Sequence, residues 1–115
     1  MMEKIATRVS YGYALVELGV ADPDVVDFEA DLAEATMTKG FKAAYPDRFY
    51  EMGIAEANMY CAAAGMASCG KKPFASTFAI FAAGRCWEQV RNSIVYNREN
   101  VVVVGTHAGM SVGQD

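Results

Sequence analysis

Apolar runs of two different periods alternate along this chain, and this alternation constrains the fold more than any other feature. Short runs bounded by turn residues predict four strands, at 25–29, 49–51, 74–77 and 101–104. Longer stretches with helical spacing predict four helices, at 3–18, 36–44, 55–68 and 78–96. Because strands that alternate with helices pair in parallel through right-handed crossovers, we predict one α/β domain with a parallel sheet and helices on both faces.

Two of these segments carry more specific expectations. The four consecutive valines at 101–104 predict a central strand, because strands covered on both faces are continuous apolar runs. The helix at 55–68 is apolar on almost every face, which predicts burial on all sides. A chain of 115 residues has little else to cover such a helix, so we expect self-association through it.

Charge and cysteine content argue against several classes of function. The formal net charge of -4, without a cluster of lysine and arginine, provides no electrostatic footprint for nucleic acid or an anionic membrane. Cys61, Cys69 and Cys86 lack CxxC spacing, so neither a disulfide framework nor a metal site is indicated. The sequence shows no signal-peptide core and no apolar run of bilayer-spanning length, and we expect a cytoplasmic protein.

Glu56 is an acid in an apolar setting. It stands where the strand at 49–51 gives way to the helix at 55–68, and residues 59–67 carry no charge. A carboxylic acid in a low-dielectric pocket can hold a proton near neutral pH or share it with a bound base. On the residues alone, the simpler interpretation is favoured, in which Glu56 only complements the dipole of its helix.

Four further residues are candidates for a site. Asp31 follows the first strand at its carboxyl end, where open parallel sheets bind ligands, although a helix cap explains it as well. Phe78 and Phe81 are three positions apart at a predicted helix start and can face one pocket, although such pairs usually belong to a core. His107 is the only histidine, on a glycine-punctuated loop after the last strand, and a lone histidine is more often structural.

Taken in order, these motifs resemble the pyrimidine-binding domain of transketolase, a thiamine diphosphate enzyme. The matching segments span nearly the whole chain, at 31–32, 46–49, 53–59, 64–65, 76–78 with Phe81, 106–107 and 113–115. The related 1-deoxyxylulose 5-phosphate synthase shares the motif at 53–56, but the ending at 106–115 is similar to transketolase instead. The start resembles the separate C-terminal subunit of two-gene microbial transketolases, so we expect a C-terminally truncated front part of that subunit.

The resemblance implies how this chain would treat the cofactor. In the family the glutamate equivalent to Glu56 hydrogen-bonds N1′ of the cofactor's pyrimidine and favours its imino tautomer, which activates the cofactor for ketol transfer. Phe81 would stack on the pyrimidine, Phe78 would line the same pocket, and Asp31 would also contact the cofactor. Many eukaryotic members have a tyrosine where this chain has Gly84, so one wall of the pocket must come from elsewhere, with Trp87 as a candidate.

The resemblance also implies substrates and a partner. His107 would contact a sugar phosphate, and Asp115 would contact a substrate hydroxyl. In the family the motif that holds magnesium and the cofactor's diphosphate belongs to another domain, and nothing like it occurs in this sequence. We therefore expect the isolated chain to be inactive and to require a diphosphate-binding subunit.

Two alternatives remain beside this interpretation. A non-catalytic α/β module that oligomerises through its alanine-rich helix would have the same pattern of strands and helices. A dinucleotide-binding domain is the weaker alternative, because no GxGxxG follows the first predicted strand.

Overall fold

The computed structural model describes residues 4–112, and their strands form one parallel sheet. The sheet order is β2-β1-β3-β4. The strands are β1 (Val25–Glu29), β2 (Phe49–Glu51), β3 (Lys72–Phe78) and β4 (Val102–Thr106). Each neighbouring pair runs in parallel, so the predicted α/β fold with a parallel sheet is confirmed.

Helices cover the sheet on both faces. They are α1 (Thr7–Ala21), α2 (Ala33–Thr36), α3 (Lys39–Ala44), α4 (Glu56–Ser68) and α5 (Trp87–Gln89). A 3₁₀ turn at Pro46–Arg48 precedes β2, and π-helical segments at Ile80–Arg85 and Val90–Val95 flank α5.

The two faces of β1 belong to two separate hydrophobic clusters. Val25 packs with Leu15 of α1 and Phe41 of α3. Val26 and Phe28 belong to the larger cluster, which also includes α4 and the helical segment that follows β3. Because side chains alternate along a strand, consecutive valines of β1 contribute to opposite layers.

The first helix ends later than predicted. A stop at Leu18, before Gly19, was wrong, because α1 continues to Ala21 and turns only at Asp22. Gly19 is fully enclosed instead, and a Cβ atom there would lie 2.5 Å from the ring of Tyr45. In this position glycine permits close packing between α1 and α3 and does not end the helix.

The prediction of a central β4 is wrong for the part of the chain that the structure describes. β4 pairs only with β3 and forms an edge of the sheet. Val102 and Val103 remain 43% and 37% exposed. A run of valines favours a β-strand in a buried environment, but it does not determine whether that strand is central or at the edge of the sheet.

The prediction that α4 is buried on all sides is also wrong. Its buried positions lie toward the sheet and include Met59, Tyr60 and Ala63. Its exposed positions form one stripe, which we call the small-residue stripe: Asn58, Cys61, Gly65 and Ser68. Alanine, glycine, serine and cysteine are small enough to suit either environment, so their abundance did not identify the solvent-facing side.

Two predicted helices are divided. The segment at 36–44 is broken at Met37, whose φ of 69° ends α2 before α3 begins. The long helix expected from Phe78 begins later, because β3 extends through Phe78.

Across residues 4–112, none of the helices combines the length and apolarity needed to cross a membrane.

Candidate active site

Three of the predicted site residues lie at the carboxyl ends of three neighbouring parallel strands. Asp31 follows β1 by two residues, Phe78 is the last residue of β3, and His107 directly follows β4. Phe78 is paired in register with Thr106, so His107 emerges beside it. Open parallel sheets bind ligands at this end of the sheet, just beyond the carboxyl ends of the strands.

Phe78 lies between two other rings of the site. Its centroid is 5.9 Å from that of Phe81, with the ring planes only 14° apart. It is also 4.3 Å from the centroid of His107, at a tilt of 40°. The expectation that Phe78 and Phe81 share one region is therefore supported by their geometry, although Phe78 lies on a strand and not at a helix start.

Hydrogen bonds hold His107 by both ring nitrogens. Nη1 of Arg8 lies 3.1 Å from Nε2, and Oγ1 of Thr106 lies 2.8 Å from Nδ1. An arginine N–H only donates, so Nε2 accepts and Nδ1 carries the proton that it donates to Thr106. Thr106 in turn donates to the carbonyl oxygen of Thr77 at 3.5 Å. This chain of hydrogen bonds orients the imidazole.

Arg8 was not among the residues selected from the sequence. It lies on the exposed first turn of α1 and lines a cavity of about 580 Å³ together with Tyr11, Thr106 and His107. No local motif marks Arg8, and only the parallel fold, which places the start of α1 beside the end of β4, reveals its partnership with His107. The cavity therefore presents a cation beside an oriented imidazole.

Glu56 is the first residue of α4, and its side chain is 3% exposed. Nη1 of Arg85 donates a hydrogen bond to Oε2 of Glu56 at 3.2 Å. The guanidinium carbon of Arg85 also lies 4.6 Å from the ring centroid of Phe81. The expected apolar setting of Glu56 therefore also contains a cation, which connects it to Phe81.

Arg85 was likewise missed from the sequence. Its four-residue spacing from Phe81 was the available signal, because side chains at that spacing meet on one helix face. The pairing with Glu56 bridges 29 positions and could not be found from spacing.

Asp31 is exposed and adopts a left-handed backbone conformation, with φ of 61°. Helix α2 has Leu32 at its N-cap and no side-chain capping hydrogen bond, so the capping alternative is not supported. The backbone N–H of Asp31 donates to Oε1 of Glu51 at 2.7 Å. The residue lines a pocket of about 510 Å³ that also contacts Phe78.

Two acids of β1 lie beneath the site on the face covered by α1. Glu29 is buried, and its Oε2 accepts hydrogen bonds from Thr36 at 2.6 Å and Thr38 at 2.8 Å. Both oxygens of Asp27 are buried without a hydrogen-bond partner among the described residues. Burial raises the pKa of Glu29 and raises that of Asp27 well above its ordinary value. Asp27 and Glu29 stand two positions apart in an apolar strand, so they share one face. This spacing was a signal for buried acids that the sequence analysis did not use.

One sequence-based candidate is not joined to this cluster, and a second is not described by the structure. Trp87 lines a separate apolar groove with Ala79, Ala82 and Val103, which includes neither Phe78 nor Phe81. Asp115 lies outside the described residues. Within 4–112, the structure contains no group of three or more His, Cys, Asp or Glu side chains suited to hold a metal ion.

Comparison with known proteins identifies one family across the chain. The family described as "Transketolase, pyrimidine binding domain" matches residues 3–115. A putative transketolase C-terminal section from Methanocaldococcus jannaschii is 47% identical over 94% of this chain and 34% of its own length. Human transketolase is 40% identical over 98% of this chain and 18% of its own length.

A solved structure supports the same relationship. It is a split-gene transketolase described as an inactive beta4 tetramer, with a TM-score of 0.78 and 56% sequence identity. The match covers 86% of this chain and 33% of that one. The present chain therefore spans about a third or less of the length of the relatives it matches.

Proposed function

Because the chain belongs to the family of transketolase pyrimidine-binding domains, we propose that it binds and activates the aminopyrimidine of thiamine diphosphate within a split transketolase. The observation that carries this proposal is the nearly buried carboxyl group of Glu56, connected through Arg85 to the ring of Phe81. An acid beside an aromatic face is the donor set that a flat heteroaromatic base requires.

The residues present fit that ring. Phe81 provides a half-buried aromatic face, and Phe78 lies parallel beside it. Glu56 would hold or share a proton at the pyrimidine N1′, where its burial makes the hydrogen bond strong. When bound, the cofactor supplies the nucleophilic carbon for transfer of a two-carbon ketol unit from a ketose phosphate to an aldose phosphate.

We assign the substrate's phosphate end to Arg8 and His107. Arg8 retains further N–H donors beyond the one directed at Nε2 of His107, and arginine suits phosphate oxygens geometrically. His107 accepts from Arg8 at Nε2 and donates to Thr106 at Nδ1, so it would hold the guanidinium of Arg8 in place beside that phosphate. Asp31, which lines a pocket with Phe78, would also contact the cofactor.

The rest of the active site would come from other polypeptide. A diphosphate-binding subunit would hold the cofactor's diphosphate and its magnesium ion, and the active site would form between that subunit and this domain. The chain would function in the cytoplasm and would self-associate through the small-residue stripe of α4, whose short side chains permit close approach of a second backbone.

A second candidate is a self-associating chain without turnover of its own. The observation that favours it is the similarity to the split-gene transketolase whose beta4 tetramer is described as inactive. The two proposals are compatible if assembly with the diphosphate-binding subunit replaces or joins the self-associated form.

Calorimetric titration of thiamine diphosphate and magnesium tests the proposal. We expect binding and ketol transfer when a diphosphate-binding subunit is present, and no turnover from the chain alone. Turnover by the isolated chain would contradict the divided site. Failure of the mixed subunits to bind cofactor would contradict the proposed function itself.

A further inference from the structure

Arg85 makes two contacts that the proposed function assigns to the cofactor. Its guanidinium donates to Oε2 of Glu56 at 3.2 Å and lies 4.6 Å from the centroid of the Phe81 ring. A guanidinium is planar and delocalised, and it packs against aromatic faces as a flat heteroaromatic ring does. The distance from Phe81 falls within the range of about 4.5–7 Å for stacked aromatic centroids.

We propose that Arg85 is an internal substitute for the cofactor's aminopyrimidine. In the cofactor-free chain, its guanidinium occupies the place between Glu56 and Phe81, and the incoming ring must displace it. This inference rests on the proposed function, because it takes Glu56 and Phe81 to be the residues that hold the pyrimidine.

The unequal exposure of the pair explains why Arg85 would be the residue to leave. The Glu56 side chain is 3% exposed, whereas that of Arg85 is 55% exposed. Arg85 ends the π-helical segment Ile80–Arg85 at the surface, so its side chain can turn into water without disturbing the core. Glu56 is fixed at the start of α4 and cannot follow it.

The substitute also stabilises the free chain. Arg85 provides the only hydrogen bond to the Glu56 carboxylate among the residues that the structure describes. A nearly buried carboxylate without a partner is costly, so the pairing stabilises Glu56 until another partner arrives. When the aminopyrimidine enters, it takes over the contacts with Glu56 and Phe81. No polar group is left without a partner, since water hydrates the released guanidinium.

Displacement has a measurable consequence for affinity. A ligand that binds only when Arg85 has moved away has its apparent affinity reduced by the fraction of molecules in which the place is free. Because the pair is half exposed on the arginine side, its strength is that of a surface ion pair, and removing Arg85 should tighten binding by about 2- to 5-fold.

The test uses the free aminopyrimidine half of the cofactor, with a hydroxymethyl group in place of the thiazolium, because this probe does not require the diphosphate site. Its dissociation constant is measured by NMR titration of the chain and of the Arg85→Ala and Arg91→Ala variants. Arg91 is the matched control, since its guanidinium lies 5.6 Å from the Trp87 ring and makes no bond to Glu56. The restricted rotation of the Arg85 guanidinium is followed in the same samples.

We expect the probe to release the Arg85 guanidinium while Arg91 is unaffected, and we expect Arg85→Ala, unlike Arg91→Ala, to bind the probe more tightly. Arg85→Lys, which keeps the charge but not the plane, should also bind more tightly and guards against misfolding of the alanine variant. The inference would be overturned if the probe bound while rotation of the Arg85 guanidinium stayed restricted. It would also be overturned if Arg85→Ala and Arg85→Lys both bound the probe as tightly as the unchanged chain or less tightly. Either result would leave the proposed function standing. Absence of probe binding in every variant would overturn both.

Discussion

Arg8 and His107 are 99 positions apart in the sequence, yet Nη1 of Arg8 lies 3.1 Å from Nε2 of His107. The contact joins the first turn of α1 to the loop after β4, at the carboxyl end of the sheet, where ligands are expected. His107 is fixed from its other side by Thr106, so Arg8 meets an imidazole of defined orientation. The imidazole thereby positions the Arg8 guanidinium in the cavity that we assign to the substrate phosphate.

Loss of either the Arg8 guanidinium or the His107 ring that positions it should impair only phosphorylated substrates. In the enzyme assembled with its diphosphate-binding subunit, we expect Arg8→Gln and His107→Gln each to lower kcat/KM for a ketose phosphate. Hydrogen bonds to a charged group contribute roughly 1.5–3 kcal/mol, which corresponds to about 10- to 100-fold. Steady-state kinetics with a phosphorylated donor and with an unphosphorylated ketose provide the measurement.

The unphosphorylated ketose is the control for this prediction, because it has no phosphate for Arg8 to contact. Arg98→Gln, at an exposed position after the helical segment, is the matched arginine control and should leave both substrates unaffected. Equal losses for both substrates would mean that Arg8 and His107 act on the fold or the cofactor and not on the phosphate.

Asp27 should make the stability of the chain depend on pH. Its pKa is raised well above the ordinary value, first by burial and then by the charges of Glu29 and Glu51. The folded state therefore keeps a proton that the unfolded chain releases, so stability declines as pH rises above about 4 toward the folded pKa. The buried Glu29 has a raised pKa and contributes a slope of the same sign.

We expect Asp27→Val to raise the free energy of unfolding at pH 8 by about 1–3 kcal/mol, because valine does not leave buried oxygens unpaired. The gain should shrink as the pH is lowered toward 4, where wild-type Asp27 is protonated in both states. Urea unfolding at a series of pH values measures it, with the exposed Asp47→Asn as control. An identical pH slope in Asp27→Val and wild type would contradict this account of Asp27.

The sequence predicted the type and order of the main elements because their signals are local. Apolar runs identified β1 and β2 to the residue, and the start of α4 was displaced by only one position. Errors arose where a tertiary neighbour decided the outcome. Gly19 continues α1 because the rings of Tyr45 and Phe41 fill the space that its side chain would occupy, and no local rule contains that information.

The same division between local and tertiary information applies to the site. Phe78 and Phe81 were found because their spacing and motif are local, and the geometry brings them together with His107. Arg8 and Arg85 were not found, because each becomes meaningful only through a partner distant in sequence. Surface arginines are common, and only the folded chain distinguishes these two from the others.

The small-residue stripe of α4 provides the test of self-association. An arginine in place of Gly65 would add a long charged side chain where a second backbone is expected to approach, and a Cβ atom there would meet no other described residue within 4 Å outside its own helix backbone. We expect Gly65→Arg to shift the chain to monomer in sedimentation velocity at micromolar concentration. Ala43→Arg, on the exposed side of α3, is the control and should leave association unchanged. Equal association in both variants would exclude the stripe as the interface.

Glu56→Gln distinguishes a catalytic glutamate from one that only complements its helix. The amide preserves size and can still accept a hydrogen bond from Arg85, but it cannot share an acidic proton with the pyrimidine N1′. In the assembled enzyme we expect ketol transfer to fall by about 10²- to 10⁴-fold, the usual contribution of general acid–base catalysis. The exposed Glu17→Gln on α1 is the control and should change neither turnover nor stability.

The decisive comparison pairs the exchange rate of the cofactor's C2 proton with the melting temperature of the same Glu56→Gln sample. A catalytic role predicts slowed exchange with the fold preserved, because only the proton held at N1′ is lost. A role limited to the helix dipole predicts the reverse, with a loss of roughly 0.3–1 kcal/mol of stability and unchanged exchange. Since Arg85 is the hydrogen-bond partner of the Glu56 carboxylate in the described chain, loosening of Arg85 in the same variant would show that the carboxylate charge, and not the side-chain shape, holds the guanidinium in place.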